Sequence, residues 1–177
     1  MAKRLSAGIL LYRERQNKLE VFLVHPGGPY WAKKDNGVWS IPKGELEEGD
    51  DLFETAKREF IEETGLPISG EFFSLSPLKQ PSGKVVYAWA VKGDLNVTSI
   101  SSNLFSMEWP PASGITRQFP EIDKGEWFNI RSAMQKLLPG QRPFLKELLE
   151  YLEHNLPTSI PSDVSSIKQG SGGREPG

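Results

Sequence analysis

Short apolar runs separated by charged or glycine-rich turns pattern most of this chain. Residues 4–12 and 19–25 are rich in Leu, Ile and Val and flank a charged segment, 13–18, so they read as two strands joined by a turn. The second run is nearly continuous in apolar residues, which suits a central strand. Pro26-Gly27-Gly28-Pro29 ends it, and a loop through Asp35-Asn36-Gly37 carries Tyr30, Trp31, Lys33 and Lys34. A brief strand is expected over 38–41, after which Pro42 and Gly44 turn the chain into an acidic loop.

The pattern then changes period. Leu52, Phe53, Ala56 and Phe60 recur at helical spacing, which predicts a helix over 51–64 with one apolar stripe for docking on a sheet. Asp50 or Asp51 can cap its start, and Gly65 followed by Pro67 stops it. Further strands are expected over 71–75, 84–92, 105–109 and 126–130, and further helices over 131–138 and 143–154. This order predicts an α/β (α+β) domain, a mixed sheet with helices packed on it. Residues 156–177 hold five Ser, four Gly and three Pro, too little apolar surface to offset the entropy of ordering them. One domain over 1–155 and a disordered tail over 156–177 are therefore expected.

Composition narrows the function classes. The 177 residues carry 21 Lys+Arg against 23 Asp+Glu, a net charge of −2, without the basic excess of a non-specific nucleic-acid binder. There is no cysteine, which removes disulfides, thiol catalysis and cysteine-bound zinc. The apolar stretch 5–12 is broken by Ser6 and Gly8 and falls far short of the ~20 residues that span a bilayer. Although Lys3-Arg4 precede it, no small-x-small cleavage site follows, so a cytoplasmic protein with neither nucleic acid nor membrane as partner is expected.

Charge is unevenly spread. The interval from Glu45 to Glu63 contains nine acids and two bases, a local −7, leaving +5 (−2 minus −7) on the rest of the chain. Glu59, Glu62 and Glu63 stand at i, i+3 and i+4, so they project from one side of the helix within an arc of ~100°. They can form a solvated acidic face. Alternatively, a hard divalent cation held among them relieves their repulsion, and magnesium or manganese prefers such oxygen donors. Arg58 lies beside Glu59 and one turn before Glu62, within reach of a carboxylate.

Gly44, Asp50, Arg58-Glu59-Phe60, Glu62-Glu63, Gly65 and Leu66 resemble the signature of the Nudix hydrolases: Gly, five residues, Glu, seven residues, Arg-Glu-apolar-x-Glu-Glu-x-Gly-apolar. Every spacing agrees, and the one departure is Asp50 in place of the loop-steadying Glu. The resemblance implies a mixed β-sheet sandwiched between helices and metal-dependent hydrolysis of a nucleoside diphosphate linked to another group. It implies Mg2+ (or Mn2+) held by Glu59, Glu62, Glu63 and the carbonyl of Gly44, with Arg58 orienting a carboxylate and Glu59 or Glu62 as general base. Glu121, six residues before Trp127, matches an acid that many similar proteins place ahead of a Trp-containing strand, and is a further candidate metal ligand or else a solvated loop acid.

Trp39-Ser40-Ile41-Pro42-Lys43-Gly44 resembles the Trp-x-x-Pro-Lys-Gly of Nudix enzymes acting on diadenosine and diphosphoinositol polyphosphates, making Lys43 a candidate phosphate contact. Tyr30 and Trp31, in a Gly/Pro loop, are candidates for stacking on a ligand, whereas Tyr87, Trp89 and His25 read as structural. The expected partner is a small-molecule nucleotide or polyphosphate, most simply a nucleoside triphosphate or dinucleoside polyphosphate. A nucleoside-diphosphate-sugar (ADP-ribose-type) hydrolase and a non-catalytic nucleotide-binding module are the alternatives.

Overall fold

The hairpin that begins the chain sets up everything that follows. In the computed structural model, which describes residues 4–155, strands β1 (Leu5–Arg15) and β2 (Lys18–Pro26) meet through Gln16 and Asn17, both at positive φ (53° and 64°). Two such residues give the tight two-residue turn whose twist matches an antiparallel pair. The strands pair only from Arg15↔Lys18 to Tyr12↔Val21 and then diverge. Into the gap comes the segment after the first long loop: Val24 and Ser40 exchange backbone hydrogen bonds, Ile9 N–H donates to the Pro42 carbonyl, and β3 (Lys43–Glu45) pairs with β1 through Ala7↔Gly44.

This wedge corrects two expectations. Residues 38–41 form isolated bridges, Val24↔Ser40 and Trp39↔Leu137, rather than a strand, and the strand starts after Pro42, where a turn was expected. Proline lacks the donor that a ladder needs on both sides, so regular pairing begins one residue later. The approach is close enough to require a glycine on the facing strand. A Cβ on Gly8 would stand 2.5 Å from the Pro42 carbonyl oxygen.

The remaining elements are α1 (Leu52–Thr64), β4 (Phe72–Ser74), β5 (Leu78–Lys79), β6 (Val85–Lys92), β7 (Leu104–Glu108), β8 (Thr116–Pro120), β9 (Ile122–Asn129), α2 (Ile130–Lys136) and α3 (Arg142–Asn155). The main sheet runs β4-β6-β1-β2-β9, with β6 parallel to β1 and β9 antiparallel to β2, so it is mixed and β2 is interior as expected. β7 and β8 form a separate two-stranded arm. Neither β5 nor β8 carries an apolar alternation, and β9 starts at Ile122, ahead of the expected 126. These pairings depend on distant strands, not on local pattern. The tail expected over 156–177 lies outside the described residues.

Helices cover both faces of the sheet, which explains why β1 and β2 read as continuous apolar runs. Ala7, Ile9, Leu11, Phe22 and Val24 pack with Ala56 and Phe60 of α1, while Leu10, Leu19, Val21 and Leu23 pack with Phe144, Leu145 and Leu148 of α3. Phe53 completes the α1 stripe against Phe72 and Trp89, at ring separations of 5.0 and 5.1 Å. Of the two candidate caps, Asp51 accepts from Glu54 N–H at 2.9 Å, and Gly65 closes the helix in the left-handed region at φ 73°.

Candidate active site

Gly44 faces α1 from β3 and lacks a side chain for a reason of space. A Cβ there would lie 2.0 Å from Cδ and 2.1 Å from Oε1 of Glu59, so the Glu59 carboxylate fills the hollow that the glycine leaves. Burial pushes the Glu59 carboxyl up from the usual range, and the charges of Glu62 and Glu121 add to this while Arg58 and Lys43 oppose it. In the last turn of α1, two residues before Gly65, Glu63 is more deeply enclosed. Its carboxylate accepts the Lys43 backbone N–H, and burial raises its pKa to about 8, against the pull of the Lys43 ammonium and with the support of Glu59 and Glu121. The Lys43 ammonium is shifted the other way, downward, by burial first and by nearby Lys84, with Glu63, Glu45 and Glu59 resisting. Lys84 itself is ion-paired with Glu45 at 2.8 Å.

Arg58 stands amid three carboxylates on the outer side of the helix. Its Nη2 is 3.4 Å from Asp50 Oδ2 and 3.9 Å from Glu59 Oε2, and its Nε is 3.8 Å from Glu62 Oε2. Asp50 also accepts the Glu47 backbone N–H at 3.0 Å. The shorter side chain therefore still ties the acidic loop to Arg58, as a glutamate there would be expected to do.

Glu121 arrives from the far end of the chain. It occupies the corner between β8 and β9, where its N–H donates to the Asn103 carbonyl and its own carbonyl accepts from Gly27, both at 2.9 Å. Asn103 N–H in turn donates to the Glu62 carbonyl at 2.9 Å. A chain of backbone hydrogen bonds thus couples the last turn of α1 to Glu121 and to the loop after β2. Sequence spacing to Trp127 pointed to Glu121, but nothing local pointed to Asn103.

A cleft of ≈ 250 Å³ opens beside these groups, lined at one end by Lys43, Glu63 and Glu121 and elsewhere by apolar side chains including Val38, Ile122 and Trp31. Of the two aromatic candidates, Trp31 lines the cleft. Tyr30 is not among the lining residues; it packs edge-on against Trp109 at the turn end of the β7–β8 arm, with ring centroids 5.5 Å apart. Glu59, Glu62 and Arg58 are not among the lining residues; Arg58 and Glu62 line a separate hollow with Glu54, Lys57, Ile61 and Ile68 on the outer side of α1. His25 is buried, with Nε2 donating to the Lys34 carbonyl at 2.6 Å and Nδ1 2.9 Å from Asp123, so it braces the loop. Ser40 and Gln141, which the sequence did not single out, meet at the cleft wall.

The donor chemistry suits a hard cation: carboxylate oxygens gathered beside the backbone of Gly44, whose hollow keeps Glu59 in place. The upward shifts of Glu59 and Glu63 record repulsion and burial that a positive ion relieves. Among the described residues no three Asp, Glu or His side chains are already gathered at coordinating spacing, since Glu62 turns toward Arg58.

Comparisons with known proteins bear on the family and the fold. The NUDIX domain family model matches residues 2–148. Nudix hydrolase 10 of Arabidopsis thaliana is 26% identical over 119 residues, 67% of this chain, and the chain spans 38% of that relative's length. Among solved structures, the NUDIX domain of Shewanella oneidensis NrtR complexed with ADP ribose superposes with a TM-score of 0.60 at 17% identity, over 86% of this chain and 90% of that one. A C. elegans Ap4A hydrolase binary complex gives 0.57 at 18% identity, over 84% and 98%.

Proposed function

The chain belongs to the Nudix family, and from that premise we propose that it is a divalent-cation-dependent pyrophosphohydrolase acting on a nucleoside triphosphate or dinucleoside polyphosphate. The observation that carries the reading is the convergence of Lys43, Glu63 and Glu121 on one end of a largely apolar cleft, with Glu59 nested against Gly44 beside it. Glu59, Glu62, Glu63, Glu121 and the Gly44 carbonyl would hold the cation, magnesium or manganese. When bound, it neutralises the diphosphate and acidifies a water.

The protein's own groups supply the rest. Lys43 meets a phosphate oxygen; its enclosed ammonium strengthens that contact, because little water competes. Glu59, raised toward neutrality by burial and by Glu62, accepts the proton of the attacking water, with Glu62 as the alternative base. Arg58 orients the carboxylates, offsets their repulsion and ties them to the loop through Asp50. Water adds to phosphorus, the opposite P–O bond breaks, and the leaving phosphate departs with the negative charge.

The cleft favours a nucleoside over an inositol phosphate as head group, because its walls are mainly apolar and include one indole. At ≈ 250 Å³ it is near the small end of ligand pockets, room for one head group, so the rest of a polyphosphate would lie outside along α1. ADP-ribose is the second reading, motivated by the ligand of the NrtR domain that shares this fold. The test is a hydrolysis panel with Mg2+ or Mn2+: nucleoside triphosphates, diadenosine polyphosphates, ADP-ribose and diphosphoinositol polyphosphates. Cleavage of the first two groups is expected. Cleavage of ADP-ribose alone would select the second reading, and background rates throughout would point to a binding module.

A further inference from the structure

Ser40 contributes the one hydroxyl among the residues lining the cleft. Its hydrogen-bond polarity is fixed from beneath. Gln141, fully buried in the short turn Pro139–Gln141 before α3, accepts the Ile41 backbone N–H on Oε1 at 3.0 Å. An N–H can only donate, so the amide orientation is set, and Gln141 Nε2 must face Ser40 Oγ, to which it donates at 3.0 Å. The Ser40 proton goes to the Ile41 carbonyl at 2.6 Å; the competing acceptor, Gln141 Oε1, is farther away at 3.4 Å. A hydroxyl has one proton and two lone pairs. With the proton and one lone pair engaged by the protein, the remaining lone pair is all that Ser40 can offer a ligand.

We propose that Ser40, held as an acceptor by Gln141, is a specificity-determining residue that selects a nucleobase bearing an amino group. The inference rests on the nucleotide reading above and adds to it which base edge the cleft recognises. Three residues of extended chain separate Ser40 from Lys43, at most ~10 Å, comparable with the distance from a base to its diphosphate. Trp31 and the apolar walls receive the flat ring, and Ser40 accepts from its exocyclic N–H.

The experiment compares ATP with purine riboside 5′-triphosphate, which lacks only the amino group, as Mg2+-dependent competitors of the best panel substrate. The wild-type protein should bind ATP about tenfold more tightly, the value of one hydrogen bond in an enclosed site. Ser40→Ala should make the two equal, with a thermal melt confirming that the variant is folded. Equal binding to the wild-type protein would overturn the inference while leaving the nucleotide reading intact, and this arm needs no variant. Retained discrimination in Ser40→Ala, or a change confined to ribose against 2′-deoxyribose, would also overturn it by placing recognition elsewhere. If neither nucleotide competes, the inference and the nucleotide reading fall together.

Discussion

Replacing Gly44 with alanine sets a methyl group against the Glu59 carboxylate, 2.0 Å from Cδ, 2.1 Å from Oε1 and 2.5 Å from Cγ. Strand β3 cannot retreat easily. It is paired with β1 at Ser6↔Glu45, Ala7↔Gly44 and Gly8↔Lys43, and backbone bonds from Ile9 to Pro42 and from Leu46 to Leu5 continue that hold at either end. The Glu59 side chain is flexible, so it is the group that moves. A displaced rotamer costs about 0.5–1.5 kcal/mol, which for a domain of this size lowers Tm by roughly 2–4 °C per kcal/mol. The rate suffers more, because a misplacement of ~1 Å in a catalytic constellation can cost on the order of 100-fold.

A double-mutant cycle isolates the cause. Steady-state hydrolysis of the best panel substrate is compared for the wild-type protein, Gly44→Ala, Glu59→Ala and the pair, with a thermal melt of each. Gly44→Ala should lose about 100-fold, close to 2.7 kcal/mol of transition-state stabilisation. In the Glu59→Ala background the atoms nearest the methyl group are gone and it should cost little, so the two losses fail to multiply. Full activity in Gly44→Ala, or losses that multiply in the double variant, would refute the assignment of Glu59 to the glycine hollow. A melt lowered by far more than a few degrees would show that the backbone had yielded instead of the side chain.

Glu62→Gln should leave the melt unchanged and remove most Mg2+-dependent turnover, by about 100-fold or more if the residue is a base or ligand; wild-type kinetics would take it out of the site. Gly8→Ala should act on stability, since its methyl group would meet the Pro42 carbonyl at 2.5 Å and the Lys43 Cβ at 2.7 Å; an increase in urea sensitivity worth about 1–3 kcal/mol is expected, and an unchanged midpoint would be against it. Glu63 supplies a pH dependence. Its folded-state pKa of about 8 lies above the ordinary 4.5, so the native state keeps a proton that the unfolded chain gives up. Metal-free protein should therefore lose stability as pH rises from about 4.5 toward 8, a slope that Glu63→Gln flattens in denaturation series run with a chelator. A slope of the opposite sign, or one that survives Glu63→Gln, would contradict the burial of this carboxylate.

The sequence by itself determined α1 and its chemistry. A helix places i, i+3 and i+4 on one side whatever surrounds it, so Glu59, Glu62 and Glu63 were legible from spacing, as were a cap at Asp50 or Asp51, the Gly65 stop and the apolar faces of β1 and β2. The spacing of Gly44 from Arg58 identified the family for the same reason: the signature is local and rigid. Tertiary structure decided the rest. Whether residues 40–45 would turn or wedge between β1 and β2, whether Glu121 would meet the α1 carboxylates, whether Tyr30 would join Trp31 or pack on Trp109, and which hydroxyl Gln141 would hold all depend on sheet register and on contacts between segments as much as 101 residues apart. Periodicity sets the direction of a side chain along its own element. Only the packing of one element on another sets what that side chain meets.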